Sequence, residues 1–182
     1  QHQVTLTNGF YLGKYEVTQS QYETVMTGNP EGLNAKPSYW SNNPNRPVER
    51  VSLENAKVFL TRLNLIEQQS ARLPNGWKYV LPTEAEWEYA CRAGTSTAYS
   101  WGNTISPNDA NWDHGNDANQ TMDIGQFLPN PWGFYDMHGN VWEWVNDWFS
   151  IYPNYAVVDP LGSVVPTKRI IRGEAFAGSD LR

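Results

Sequence analysis

Asp136 and Glu143 flank a short turn, His138-Gly139-Asn140, inside the stretch Trp132–Trp148. Oxygen ligands converging from a turn are what a hard cation such as calcium takes. The same pair admits a metal-free reading. A buried carboxylate is costly until donors or a cation meet it, and backbone N–H groups can serve as those donors. His138 stands in the same turn. No second His or Cys lies at ligand spacing from it, and His2 and His114 are scattered, so zinc is not indicated. The one cysteine, Cys91, falls with Trp87 and Ala90 on the apolar side of a predicted helix. No electropositive neighbour in the sequence suggests a lowered thiol pKa, so the expectation is an inert core thiol.

The elements that must position these groups follow from local patterns. Trp142 and Trp144 alternate with Val141 and Glu143, the two-residue period of a half-buried strand, which predicts a strand over 141–145. Val4, Leu6, Phe10, Leu12, Tyr15 and Val17 alternate loosely around Asn8-Gly9, predicting two short strands joined by a hairpin turn. Thr18 and Gln21 have capping-box spacing, so a helix starts there and runs to about Met26. Ser52 caps a longer helix to about Gln69, with Ala56, Phe59, Leu60, Leu63 and Ile66 forming one apolar stripe. A short strand is expected at 79–81. Thr83 and Glu86 form another capping box, for a helix to about Arg92 that stops at Gly94. Lys168–Arg172 reads as a last strand.

Two irregular stretches carry polar or aromatic groups. The loop 28–47 holds Tyr39 and Trp40; it is either a surface loop pinned by two rings or part of an aromatic binding face. From Tyr99 to Pro131 there is little periodicity, and a loop this long is usually functional or tied down. Asn108, Asp109, Asn111, Asp113, Asn116, Asp117 and Asp123 there are either a solvated polar surface or calcium ligands; no EF-hand spacing is present.

Four ordered segments carry a family resemblance. Gly133-Phe134-Tyr135-Asp136-Met137-His138-Gly139-Asn140-Val141-Trp142-Glu143-Trp144 resembles the signature of the formylglycine-generating enzyme, or sulfatase-modifying factor, family. The segments 9–18, 81–90 and 169–173 resemble its opening strand, central helix start and late strand. The fold class this implies is α+β, of the formylglycine-generating-enzyme type and related to C-type lectins. It has much irregular structure, with two main helices, 53–69 and 83–92, on twisted antiparallel strands. One domain over 1–182 is expected, and the resemblance implies that the family's domain continues beyond Arg182.

The resemblance also implies a site. Carried over position by position, one calcium would be held by Asp136, the backbone carbonyls of Gly139 and Val141, and Glu143. Asn111 resembles an asparagine that holds another calcium in the family. The family's oxidases use two cysteines on one copper(I) to convert a substrate cysteine to formylglycine, since soft thiolates suit that ion. The matching positions here fall at about Gly178 and at Arg182 or beyond, so copper is not expected. The expected function is a calcium-stabilised binding or display module for a protein or small ligand. The alternative is an enzyme of the family whose catalytic residues lie beyond this chain.

Composition narrows the remaining classes. Hydrophobic residues at 40% against 18% charged describe a chain with a packed core. Nine Trp and ten Tyr supply rings for both core and binding surfaces. The net charge of -6 without a basic cluster argues against nucleic-acid binding. No apolar run is long enough to span a bilayer. The family resemblance, rather than composition, implies an extracytoplasmic or bacterial cell-surface setting.

Overall fold

The computed structural model describes every residue except Gln1, Asn42, 113–119 and 177–182. The elements are β1 (Val4–Thr5), α1 (Gln19–Met26), α2 (Leu53–Gln69), α3 (Glu84–Arg92), β2 (Glu143–Trp148), β3 (Val157–Val158) and β4 (Arg169–Arg172). This is a mixed α+β fold in which most residues lie outside regular elements. The chain divides into two compact units, one of Gln1–Glu16, Leu81–Thr121 and Gly125–Arg182, the other of Val17–Val80 and Met122–Ile124. Among the described residues no helix is long and apolar enough to cross a membrane.

The second unit holds α1 and α2. Both ends of the α1 capping box are made: Gln21 N–H donates to Thr18 Oγ1 (3.2 Å) and Thr18 N–H to Gln21 Oε1 (3.0 Å). Two of the four orphan donors of the first turn are thereby satisfied locally. Ser52 Oγ caps α2 by accepting from Asn55 N–H. Tyr22, Val25 and Met26 of α1 pack on Phe59 of α2, with Tyr22 and Phe59 stacked at 5.3 Å. Tyr39 and Trp40 meet edge to face, and the Arg50 guanidinium lies over Tyr39, so that loop is pinned by its rings.

The first unit carries the candidate site. Helix α3 starts on the reciprocal Thr83–Glu86 box and ends in left-handed Ala93 followed by Gly94. It buries Trp87, Ala90 and Cys91 against Met137 and Val145, with Leu12, Phe134 and Ile170 around them. Strands β2 and β4 pair antiparallel, Glu143 opposite Arg172 and Trp144 opposite Ile171, with an irregularity before Trp148. Val145 is completely buried between these layers.

Three strand expectations change. The hairpin at Asn8-Gly9 does not form. Instead β1 pairs in parallel with β3, because Asp159 draws the Thr7 N–H and hydroxyl to itself, 152 residues away. No strand forms at 79–81: the Asn64 side chain takes both backbone groups of Tyr79, at 2.8 and 2.9 Å, where a strand partner would. The strand expected over 141–145 is shifted to Glu143–Trp148, since the Val141 N–H is taken by the Glu16 carboxylate.

Candidate functional site

The turn between Asp136 and Glu143 is built from strained but satisfied backbone. Asp136 (φ 56°) and Asn140 (φ 64°) both sit in the left-handed region, which Asp and Asn tolerate better than other non-glycine residues. Gly139 has φ +95°, and a Cβ placed there would lie 2.3 Å from the Asn111 carbonyl oxygen. Only glycine allows this approach. The closeness is used: Asn140 N–H donates to the Asn111 carbonyl at 2.7 Å, and Gly139 N–H donates to the Gly173 carbonyl at 2.7 Å.

Two of the expected calcium ligands bring their oxygens together beside this turn. A Cβ added to Gly173 would meet the Val141 carbonyl oxygen at 3.2 Å and Glu143 Oε1 at 3.6 Å, so both face the same small space. Asp136 accepts the Gly125 N–H at 2.7 Å through one oxygen. Burial raises its pKa, and that N–H offsets part of the rise. Burial pushes Glu143 up to about 7, with Asp136 adding to the rise. The Trp87 indole N–H faces Glu143 and lowers it, yet finds no partner at full hydrogen-bond geometry in its buried position. No cationic side chain among the described residues pairs with Asp136 or Glu143. Buried oxygen donors without a countercharge fit a hard cation. Among the described residues no three His, Cys, Asp or Glu side chains cluster as a metal group, so a cation here would draw on the backbone carbonyls of Gly139 and Val141 as well.

Asn111 is brought to the turn by its backbone. It is buried, and its side-chain amide donates to the Gln120 carbonyl and to Asn140 Oδ1. Asp109 is engaged locally by Ser106 and Asp123 by Asn43. Asp113, His114, Asn116, Asp117, Gly178, Ser179 and Asp180 lie outside the described residues.

Glu16 is the carboxylate that sequence patterns miss. It is 9% exposed, and burial, Glu143 and Asp136 together hold its pKa well above the usual range. Its oxygens accept the Asn140 amide N–H (2.7 Å) and the Val141 backbone N–H (3.2 Å). Its local context, a polar position in an alternating stretch, carried no signal of a partner so far along the chain.

Beside this centre lies a cavity of about 280 Å³, walled by α3, the loop 95–100, the turn and the end of β4. Cys91 and His138 share its floor, with Sγ and Nε2 3.4 Å apart. Burial pushes the Cys91 thiol up to about 12, although Arg172 and Arg92 pull it down. Arg92 is the next residue in the chain, Arg172 is brought in by β4, and burial outweighs both. Burial, then Arg172 and Arg92, push His138 down to about 4. At neutral pH the pair is therefore a neutral thiol beside a neutral imidazole, without the thiolate a nucleophile needs. Tyr99 and Trp101 stack on each other and meet His138 edge-on. At the rim Glu88 bridges Arg92 and Arg172, each at 2.8 Å, and Trp142 stands part-exposed.

Comparison with known proteins gives the family of the chain. A family model described as the sulfatase-modifying factor enzyme 1-like domain matches residues 1–182. The chain belongs to that family. It is 31% identical over 178 residues to a formylglycine-generating enzyme of Streptomyces coelicolor, covering 84% of this chain and 52% of that protein. It is 33% identical over 194 residues to the chaperone protein LppX of Paenibacillus barcinonensis, covering 81% of this chain and 65% of that protein. The chain thus spans less than two thirds of the length of either relative. The solved structure of Treponema denticola variable protein 1 superposes with a TM-score of 0.72 at 28% identity, covering 91% of this chain and 74% of that one.

Proposed function

We propose that this chain is a calcium-stabilised binding module of the sulfatase-modifying factor family, which receives a protein or small-molecule ligand in the cavity beside the turn. The observation that carries the reading is the state of the cavity floor. Its one thiol, its pKa raised by burial, lies 3.4 Å from the His138 ring nitrogen, while aromatic rings and the Arg92–Glu88–Arg172 bridge form a wall suited to recognition. Aromatic and arginine side chains around a pocket are the usual carriers of binding energy. Calcium, held by Asp136, Glu143 and the carbonyls of Gly139 and Val141, would supply a positive charge that fixes the turn. Asn111, the ligand expected of another calcium, is here assigned to supporting the same turn. A C-type-lectin-like scaffold and a bacterial cell-surface setting accord with this role, and the role calls on neither copper nor nucleic acid.

The second reading is an oxidase of the same family, favoured by the relative named formylglycine-generating enzyme. It requires catalytic residues beyond this chain. Display of the protein against peptide and small-molecule libraries separates the two. The binding reading expects a ligand whose capture is lost in Trp142→Ala and kept in Cys91→Ser. A captured ligand whose binding needs the Cys91 thiol, or turnover of one, overturns it.

A further inference from the structure

We propose that Glu16 is a positioning residue of the cation centre, orienting the turn whose carbonyls would bind the ion while contributing no ligand atom itself. The inference rests on the calcium reading above and adds a residue that lies outside the stretch 133–144 and is not among the expected ligands.

The argument starts with peptide geometry. A trans peptide is planar, and its C=O and N–H point in opposite directions. Whatever takes an N–H therefore aims the carbonyl of the same unit. The Asn140 N–H is taken by the Asn111 carbonyl at 2.7 Å, which turns the Gly139 carbonyl away from Asn111. The next unit is held at both ends: the Val141 N–H goes to Glu16 Oε1 at 3.2 Å, and the Asn140 carbonyl accepts the Phe176 N–H at 3.2 Å. Glu16 Oε2 takes the Asn140 side-chain amide at 2.7 Å, and that amide's oxygen meets Asn111 Nδ2 at 3.3 Å. One carboxylate thus fixes both the backbone and the side chain of the residue between the two carbonyl donors. Each of its oxygens already accepts one N–H from the turn, which gives it a holding role whether or not an ion is bound.

Residues that orient ligand atoms without touching the metal commonly change affinity by about 10–100-fold when removed. No Lys, Arg or His pairs with Glu16 among the described residues.

The test uses calcium chloride and terbium chloride on the intact chain. Calorimetry is expected to give one calcium site in the native protein. In Glu16→Gln, which keeps the shape but offers only one acceptor, calcium binds about 10–100-fold more weakly. The terbium luminescence lifetimes in H₂O and D₂O, which count bound waters, stay unchanged. Asn140→Gly, which keeps the left-handed backbone and removes the amide donor, serves as the second variant and weakens calcium in the same direction. An added water on terbium in Glu16→Gln would make Glu16 a ligand and overturn the positioning role. Native affinity in both variants would overturn it too, with the calcium reading intact. A native chain that binds no calcium would overturn both.

Discussion

The Glu16 carboxylate and the Val141 backbone N–H, 125 residues apart in sequence, lie 3.2 Å from each other. That contact ties the start of the first unit to the turn on which the expected cation ligands sit. It also delays the start of β2 to Glu143, since the N–H is no longer free for strand pairing. The same turn supplies Met137 and His138 to the cavity, so cation centre and cavity share one short segment.

Removing calcium should lower stability. A cation that binds only the folded state stabilises by mass action, about 2.7 kcal/mol at a concentration of 100 Kd. For a chain of this size that is a melting-temperature change of roughly 5–10 °C. Thermal unfolding in calcium against excess chelator measures it. Glu143→Ala is expected to abolish the difference; an identical pair of curves for the native protein would remove the cation from the account.

Gly139→Ala should unfold the turn. The added Cβ meets the Asn111 carbonyl at 2.3 Å, on a backbone with φ +95° that alanine adopts poorly. A cost of roughly 3 kcal/mol or more is expected from the clash and the strain together. Urea unfolding of the variant measures it. A loss below about 1 kcal/mol would mean that the turn relaxes freely.

How far the site was legible follows from the range of each contact. The capping pairs Thr18–Gln21 and Thr83–Glu86 are three residues apart, and both formed as spacing predicts. Asp136 and Glu143 stood out because burial of an acid near a glycine turn is a local signal. Glu16 did not, because its partners are more than a hundred residues away. The Cys91–His138 contact spans 47 residues and was equally invisible, though the inertness of Cys91 followed from its helical face. The Asn8-Gly9 hairpin failed for the same reason in reverse: a strong local turn signal lost to Asp159, a distant acceptor for Thr7.

The thiol should be silent in the folded protein. With its pKa pushed up to about 12, the Cys91 thiolate is about one part in a hundred thousand at pH 7. Native-state alkylation by iodoacetamide should run at least about 1000-fold slower than in the unfolded chain and show no step between pH 7 and 9. Mass spectrometry of the alkylated protein over time gives the rate. Rapid native labelling with an inflection near neutral pH would reveal a thiolate–imidazolium pair instead.

The distinction between binding and oxidation is tested most directly by incubating the chain with a cysteine-containing sulfatase-type peptide, copper and oxygen, and weighing the peptide by mass spectrometry. Copper(I) needs soft ligands, and this chain offers one protonated, buried thiol. The expected result is no aldehyde product above a copper-only control. Accumulation of the formylglycine mass with time, dependent on the protein, would contradict the reading of this chain as a binding module.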